Sequence, residues 1–122
     1  MVLARIQGWK ARGLYSRSQY LPTSVLARMK ANEILDEAKG LILDRGADYG
    51  TPAINHLRIA KLWSSYLDVQ IEPNQVAICM ALVKVARIQE SPHHEDSYKD
   101  CAAYIAIAGQ IASTDWNDLD SY

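Results

Sequence analysis

Three prolines, Pro52, Pro73 and Pro92, divide most of this chain into stretches of closely similar length. Proline fixes φ and has no N–H, so a helix accepts it in the first turn and is broken by it elsewhere. Between these positions apolar residues recur at i, i+3 and i+4 and do not alternate. The chain is therefore limited to a few helices of moderate length, with no stretch that reads as a strand. No internal repeat is visible.

The spacing predicts four helices. The first runs from Val25 or Asn32 to Arg45, with Ile34, Leu35, Ala38, Leu41 and Ile42 as its stripe, and Gly46 and Asp48-Tyr49-Gly50 stop it. Thr51-Pro52 caps and opens the second, which reaches Leu67 with a stripe of Ala53, His56, Leu57, Ala60, Trp63 and Leu67. Pro73 opens the third, with Val76, Cys79, Met80, Val83 and Ala86 as its stripe. Ser91-Pro92 breaks the pattern, and the fourth covers Glu95 to Ala112 with Cys101, Tyr104, Ile105, Ala108, Ile111 and Ala112 on its apolar face. Connections of roughly five to eight residues then imply an all-α, antiparallel four-helix bundle. Residues 1–28 read as a basic N-terminal extension, 29–113 as the helical domain and 114–122 as an acidic tail in which Trp116 is the docking candidate.

With 122 residues, 49% hydrophobic and 22% charged, the chain has material for one core. Thirteen basic against 14 acidic side chains give a net charge of −1, so no global field favours stable nucleic-acid binding or an anionic membrane. No apolar run approaches the roughly 18 residues of a membrane span, and Met1 to Ile6 lacks the apolar segment of a signal peptide. Cys79 and Cys101, inside apolar patterns, read as reduced core residues, and the expected compartment is the cytoplasm. The N-terminal tryptophan Trp9 and Trp116 near the other end favour a homodimer that covers apolar surface.

Charges fall where the helical stripes should be apolar. At 100° per residue Arg45 projects into the stripe of Ile34, Ala38 and Leu41, and Glu33, Glu37 and Asp44 line one flank of it. Arg87 falls between Val76 and Met80 with Lys84 beside it, and Asp96 and Asp100 lead one turn at a time onto Tyr104. Each has a bland explanation: a cation near a helix C-terminus, an N-cap at Asp96, a solvated face for Glu33 and Glu37. Taken together they either pair with one another or hold a charged ligand. An i, i+4 carboxylate pair suits a hard cation such as Mg²⁺ or Mn²⁺, with Arg and Lys left for phosphate oxygens. Tyr49 serves equally to stack on a base or to pack on the core, and Asn55 to read a polar edge or to bond the Tyr49-Gly50 turn. His56 and Trp63 read as packing residues, and His93-His94 as an exposed loop with His94 toward the site mouth. No P-loop, dinucleotide-binding glycine motif, H-E-x-x-H or G-x-S-x-G is present.

From about Ala31 to Ala112 the chain resembles a phage-encoded family related to the MazG-like all-α nucleoside triphosphate pyrophosphatases. The resemblance lies in Arg45-x-x-x-Tyr49-Gly50-x-Pro52-x-x-Asn55, Ile59-Ala60-x-Leu62-Trp63-Ser64, Lys84-x-x-Arg87 and Asp96-Ser97-x-x-Asp100-x-x-x-Tyr104. It implies hydrolysis of a (deoxy)nucleoside triphosphate to monophosphate and pyrophosphate with Mg²⁺ or Mn²⁺, in DNA-precursor metabolism, by a helical dimer or tetramer. Those relatives pair E-x-x-E with E-x-x-D. Here the third helix has no acid between Pro73 and Gln89, and the fourth has D-x-x-x-D. The resemblance thus leaves Asp96, Asp100 and Glu37 or Glu33 as metal ligands, Lys84 and Arg87 as catalytic cations, and Arg45, Tyr49, Asn55 and Tyr104 for the substrate. A non-catalytic nucleotide- or partner-binding bundle is the alternative expectation.

Overall fold

In the computed structural model, residues 29–117 are described; the basic extension 1–28 and residues 118–122, with the expectations placed on them, lie outside the described residues. Four helices, α1 (Ala31–Tyr49), α2 (Pro52–Leu67), α3 (Pro73–Glu90) and α4 (Glu95–Ala112), follow in order, and no strand occurs among the described residues. All four belong to a unit that begins at Ala31.

The boundaries follow local chemistry. Thr51 Oγ1 accepts from the Ile54 N–H at 3.4 Å, and Pro52 occupies the first helical turn where its missing N–H costs nothing. Asp68, in the left-handed region at φ 55°, ends α2, and Ser64 Oγ accepts from the Ile71 N–H at 2.9 Å to hold the turn that leads into Pro73. The Glu72 N–H donates to Gln75 Oε1 at 2.8 Å, which secures the start of α3. One expected boundary moves: α1 passes through Gly46 and ends at Tyr49. Gly50, at φ 81°, adopts the left-handed conformation that glycine tolerates, and its N–H bonds the Gly46 carbonyl at 3.1 Å. Gly46 therefore supplies the acceptor for the terminus without being the terminus itself.

Of the connections, residues 50–51 and 91–94 are shorter than expected, and 68–72 has the expected length. The four-residue link makes α3 and α4 an antiparallel hairpin, which is the most extensive contact in the fold; α1 rests on α4 and α2 on α3. α1 and α2 barely touch despite their two-residue link. Contacts along α1 and α4 advance together, from Glu37 with Lys99 to Arg45 with Tyr104. These two helices run in the same sense, so the arrangement departs from a simple up-and-down antiparallel bundle.

The core is built from small residues. Ala53, Ala77, Ile107, Ala108 and Ile111 form its centre, and Ile42 and Trp116 pack against it. On α3 the buried face is Val76, Ala77 and Ala81; of the expected stripe Val76 is buried and Met80 half-buried, but Cys79, Val83 and Ala86 are exposed. On α4 Ser97, Ala103, Ile107, Ala108 and Ile111 are buried, and Ile105 and Ala112 are exposed. Leu35 on α1 and Leu67 on α2 also face outward. Val76 to Val83 and Cys101 to Ala108 contain almost no polar residue, so periodicity has little to phase on. Close approach of the hairpin decides instead, and alanines occupy the seam. Consequently the outer face of α3, with Ile78, Leu82 and Val85 at i, i+4 and i+7 beside Cys79, Val83 and Ala86, is apolar and exposed; Leu82 is 59% accessible. No helix among the described residues is long and apolar enough to cross a membrane.

Ala77 and Ala112 separate the observed packing from the stripe expected from periodicity. Ala77→Leu should lower the unfolding free energy by about 1–3 kcal/mol through overpacking. Ala112→Leu should change it by less than about 0.5 kcal/mol. Urea midpoints of the two variants check this.

Candidate functional site

Asp100, on the α4 face that meets both α1 and α3, gathers cations from both. Lys84 Nζ lies 3.0 Å from Asp100 Oδ2, and Arg45 Nη2 lies 3.9 Å from Oδ1. One turn further along α4, the Tyr104 ring sits under the Arg45 guanidinium with 4.6 Å from Cζ to the ring centroid. The Lys84 side chain is only 13% accessible, so the Asp100 carboxylate compensates a largely desolvated ammonium. Two cations against one carboxylate leave one positive charge in excess. Arg87 does not join them: it is exposed in the last turn of α3 and forms no ion pair among the described residues. Arg87 lies one turn beyond Lys84, at the exposed end of α3.

A groove of about 440 Å³ between α1 and α4 is lined by Glu37, Asp44, Asp96 and Asp100, with Lys99 among them. Lys99 Nζ pairs with Glu37 and lies 3.6 Å from Asp96 Oδ1. The hydrogen bond that Lys99 donates to Glu37, with the neighbouring carboxylates, raises the Lys99 pKa. Glu33 is exposed and does not line the groove. The oxygen donors have the right chemistry for Mg²⁺ or Mn²⁺, and three expected ligands, Glu37, Asp96 and Asp100, share one groove. They do not converge, however: among the described residues no group of three His, Cys, Asp or Glu side chains is placed to hold a metal ion. Lys99 stands between the first two and Lys84 holds the third. As arranged, the set does not fit a resident metal centre.

On the other side of Arg45 lies a cavity of about 360 Å³, within the range of small-molecule sites. α1 contributes Ile42, Arg45 and Tyr49, α2 contributes Asn55, His56, Ile59 and Trp63, α3 contributes Val76 and Met80, and α4 contributes Tyr104 and Ile107. Tyr49 is 63% accessible at the rim, so it is not a core residue. The Asn55 side chain makes no hydrogen bond to the Tyr49-Gly50 turn among the described residues, and lines the cavity. The splay between α1 and α2 opens this space, since two helices packed along their length would close it.

Two residues assigned to packing from the sequence prove to be cavity residues. Trp63 is half-buried with the cavity on one side. His56 is buried, and its Nδ1 lies 2.8 Å from the Pro52 carbonyl, one turn back on its own helix. Burial lowers its pKa; the Pro52 hydrogen bond opposes this, and the Arg45 charge adds to it. The Asn55-His56, Ile59 and Trp63 spacing at i, i+3 and i+7 was the available signal. Lys99 carries no sequence motif, and Asp96 one turn before it was the available sign of a paired side chain. Elsewhere, His94 Nδ1 lies 2.9 Å from Oγ of the buried Ser97, which fastens the 91–94 turn outside both spaces. Aromatic and apolar walls, two polar side chains and one arginine at the edge suit a planar heteroaromatic ring that carries an anionic group.

Residues 33–112 match a family model described as Domain of unknown function (DUF6378). The Gene 55 protein of Mycobacterium phage D29 is 39% identical over 82 residues, covering 66% of this chain and 54% of that protein. The Gene 55 protein of Mycobacterium phage L5 is 42% identical over 64 residues, covering 52% of this chain and 41% of that protein. The chain spans about half the length of these curated relatives. No solved structure matches. Since the matched region takes in nearly all of α1 and the whole of α2, α3 and α4, the chain belongs to the DUF6378 family.

Proposed function

We propose that this domain binds a (deoxy)nucleoside triphosphate and hydrolyses it to the monophosphate and pyrophosphate, with Mg²⁺ or Mn²⁺ entering as part of the substrate. One juxtaposition carries the proposal: Arg45 lines the cavity and also contacts Asp100, which lines the acidic groove. A base held in the cavity would direct its phosphates past Arg45 and Lys84 to the carboxylates that a phosphate-bound cation requires. Mg²⁺ characteristically takes one or two protein carboxylates and completes its shell with phosphate and water, so a preformed protein cage is not needed. In this proposal Tyr49, Asn55 and Tyr104 contact base or sugar, and Arg45 and Lys84 take phosphate oxygens. Glu37, Asp96 and Asp100 face the cation. Arg87 and Glu33 have no part in it.

Non-catalytic nucleotide binding is the second reading. It is favoured by the lysines that already occupy Glu37, Asp96 and Asp100. The outer face of α3 further supports a homodimer, because a contiguous exposed apolar face of this kind is ordinarily covered. Phage relatives fit a role in DNA-precursor metabolism in the host cytoplasm.

Incubation with each deoxynucleoside triphosphate and Mn²⁺ should release monophosphate and pyrophosphate. Absence of both products with every nucleotide removes the enzyme, and nucleotide-dependent thermal stabilisation would then identify the binder. Asp100→Asn should abolish turnover and lower the unfolding free energy by about 1–2 kcal/mol, as a charge-assisted contact to Lys84 becomes a neutral one. Retained turnover in that variant takes Asp100 out of the chemistry. Leu82→Glu should convert a dimer to a monomer in light scattering coupled to size exclusion, because it buries an unpaired carboxylate twice at a symmetric contact.

A further inference from the structure

We propose that His56 sets the selectivity of the cavity by accepting, through Nε2, a hydrogen bond from an N–H donor on the ligand's base. This deepens the nucleotide-binding proposal and rests on it.

The ring is positioned by its own helix. Nδ1 lies 2.8 Å from the Pro52 carbonyl oxygen, which can only accept, so Nδ1 carries the proton and donates. In a neutral imidazole the second nitrogen then holds a lone pair. Pro52 is well suited to this role. It sits in the first turn of α2, and its carbonyl is the oxygen four residues back from His56. No buried side-chain nitrogen or oxygen among the described residues lacks a partner, and the Pro52 bond is the one His56 side-chain hydrogen bond among them. Nε2 therefore meets its requirement by reaching open space, and the open space that His56 borders is the cavity.

The surroundings keep the ring in its accepting form. His56 is 6% accessible, and burial disfavours its charged state. Arg45 of α1, also on the cavity wall, presents a positive charge that works the same way. The other titratable groups on the cavity are the phenols of Tyr49 on α1 and Tyr104 on α4, and α3 contributes only the apolar Val76 and Met80. No carboxylate lines the cavity to stabilise an imidazolium. A fixed acceptor deep in a mostly apolar pocket discriminates strongly. A ligand that places a donor opposite Nε2 satisfies it, whereas one that places a carbonyl there leaves two acceptors facing each other.

Binding of nucleosides tests this, because they carry no phosphate that titrates near neutrality. Calorimetry of the wild-type chain with the four deoxynucleosides should give one preferred base, with affinity constant above pH 6.5, the ordinary histidine value, and falling on acidification below it. Protonation would turn Nε2 from an acceptor into a donor, which produces that loss. His56→Phe should weaken the preferred base about tenfold or more and bring the four bases together. His56→Gln, which keeps a carbonyl acceptor, should restore part of the preference with no pH dependence. Circular dichroism of each variant reports folding, and the wild-type pH profile stands even where a variant does not fold. A wild-type affinity that stays flat through the pH at which the His56 ring itself becomes protonated, followed by NMR of the same chain, overturns the proposal, as does a His56→Phe variant with unchanged base preference. Failure of every nucleoside and nucleotide to bind the wild-type chain would instead defeat the nucleotide-binding proposal on which this one stands.

Discussion

The Asp100 carboxylate joins α1 to the hairpin of α3 and α4 through charge. α1 has almost no contact with α2, its neighbour in sequence, so its place is set by α4, against which it makes an extensive contact that includes the Glu37–Lys99 pair. Ala38 and Ile42 provide apolar contact, and Arg45 reaches Asp100 and Tyr104. The same carboxylate compensates Lys84 on α3. One residue thereby links three helices through charge. A partly desolvated lysine and arginine would be costly without it. Strong orientation follows, since a guanidinium stacked on a ring and directed at a carboxylate has few alternative positions.

The cavity is a consequence of that attachment. Gly50 turns the chain sharply after Tyr49, and Thr51-Pro52 immediately starts α2 in a new direction. With α1 drawn to α4 and α2 laid on α3, the two helices diverge and leave a space walled by both. Arg45 stands between this apolar space and the acidic groove. The residues that tie the fold are thus those best placed to meet an anion. A phosphate that competes for Arg45 and Lys84 would draw on the same interactions that hold α1, which couples ligand binding to the packing of this helix.

Much of this was legible in the sequence because prolines and caps act locally. The four helices and the starts at Pro52 and Pro73 follow from spacing, and Arg45, Tyr49, Asn55 and Tyr104, grouped by the resemblance, line one cavity. The faces of α3 and α4 did not, because long apolar runs give no phase and the small-residue seam is chosen by the partner helix. Arg87 differs from Lys84 by its place along α3: it lies in the last turn, where it is exposed, and Lys84 lies one turn earlier, opposite Asp100. His56 is buried, as its place in the stripe of α2 implies, and the divergence of α1 from α2 sets a cavity beside it that local spacing does not specify.

The amino-acid sequence by itself determined an all-helical chain, its breaks and the presence of opposite charges beside its core, since these depend on neighbours a few residues away. Tertiary structure alone decided which charges meet. Asp100 took Lys84 and Arg45, Lys99 took Glu37 and Asp96, and Arg87 and Glu33 were left outside. Pairings of this kind depend on helix rotation and direction. Both are settled by how closely the alanine-lined hairpin packs and by the sense in which α1 lies on α4.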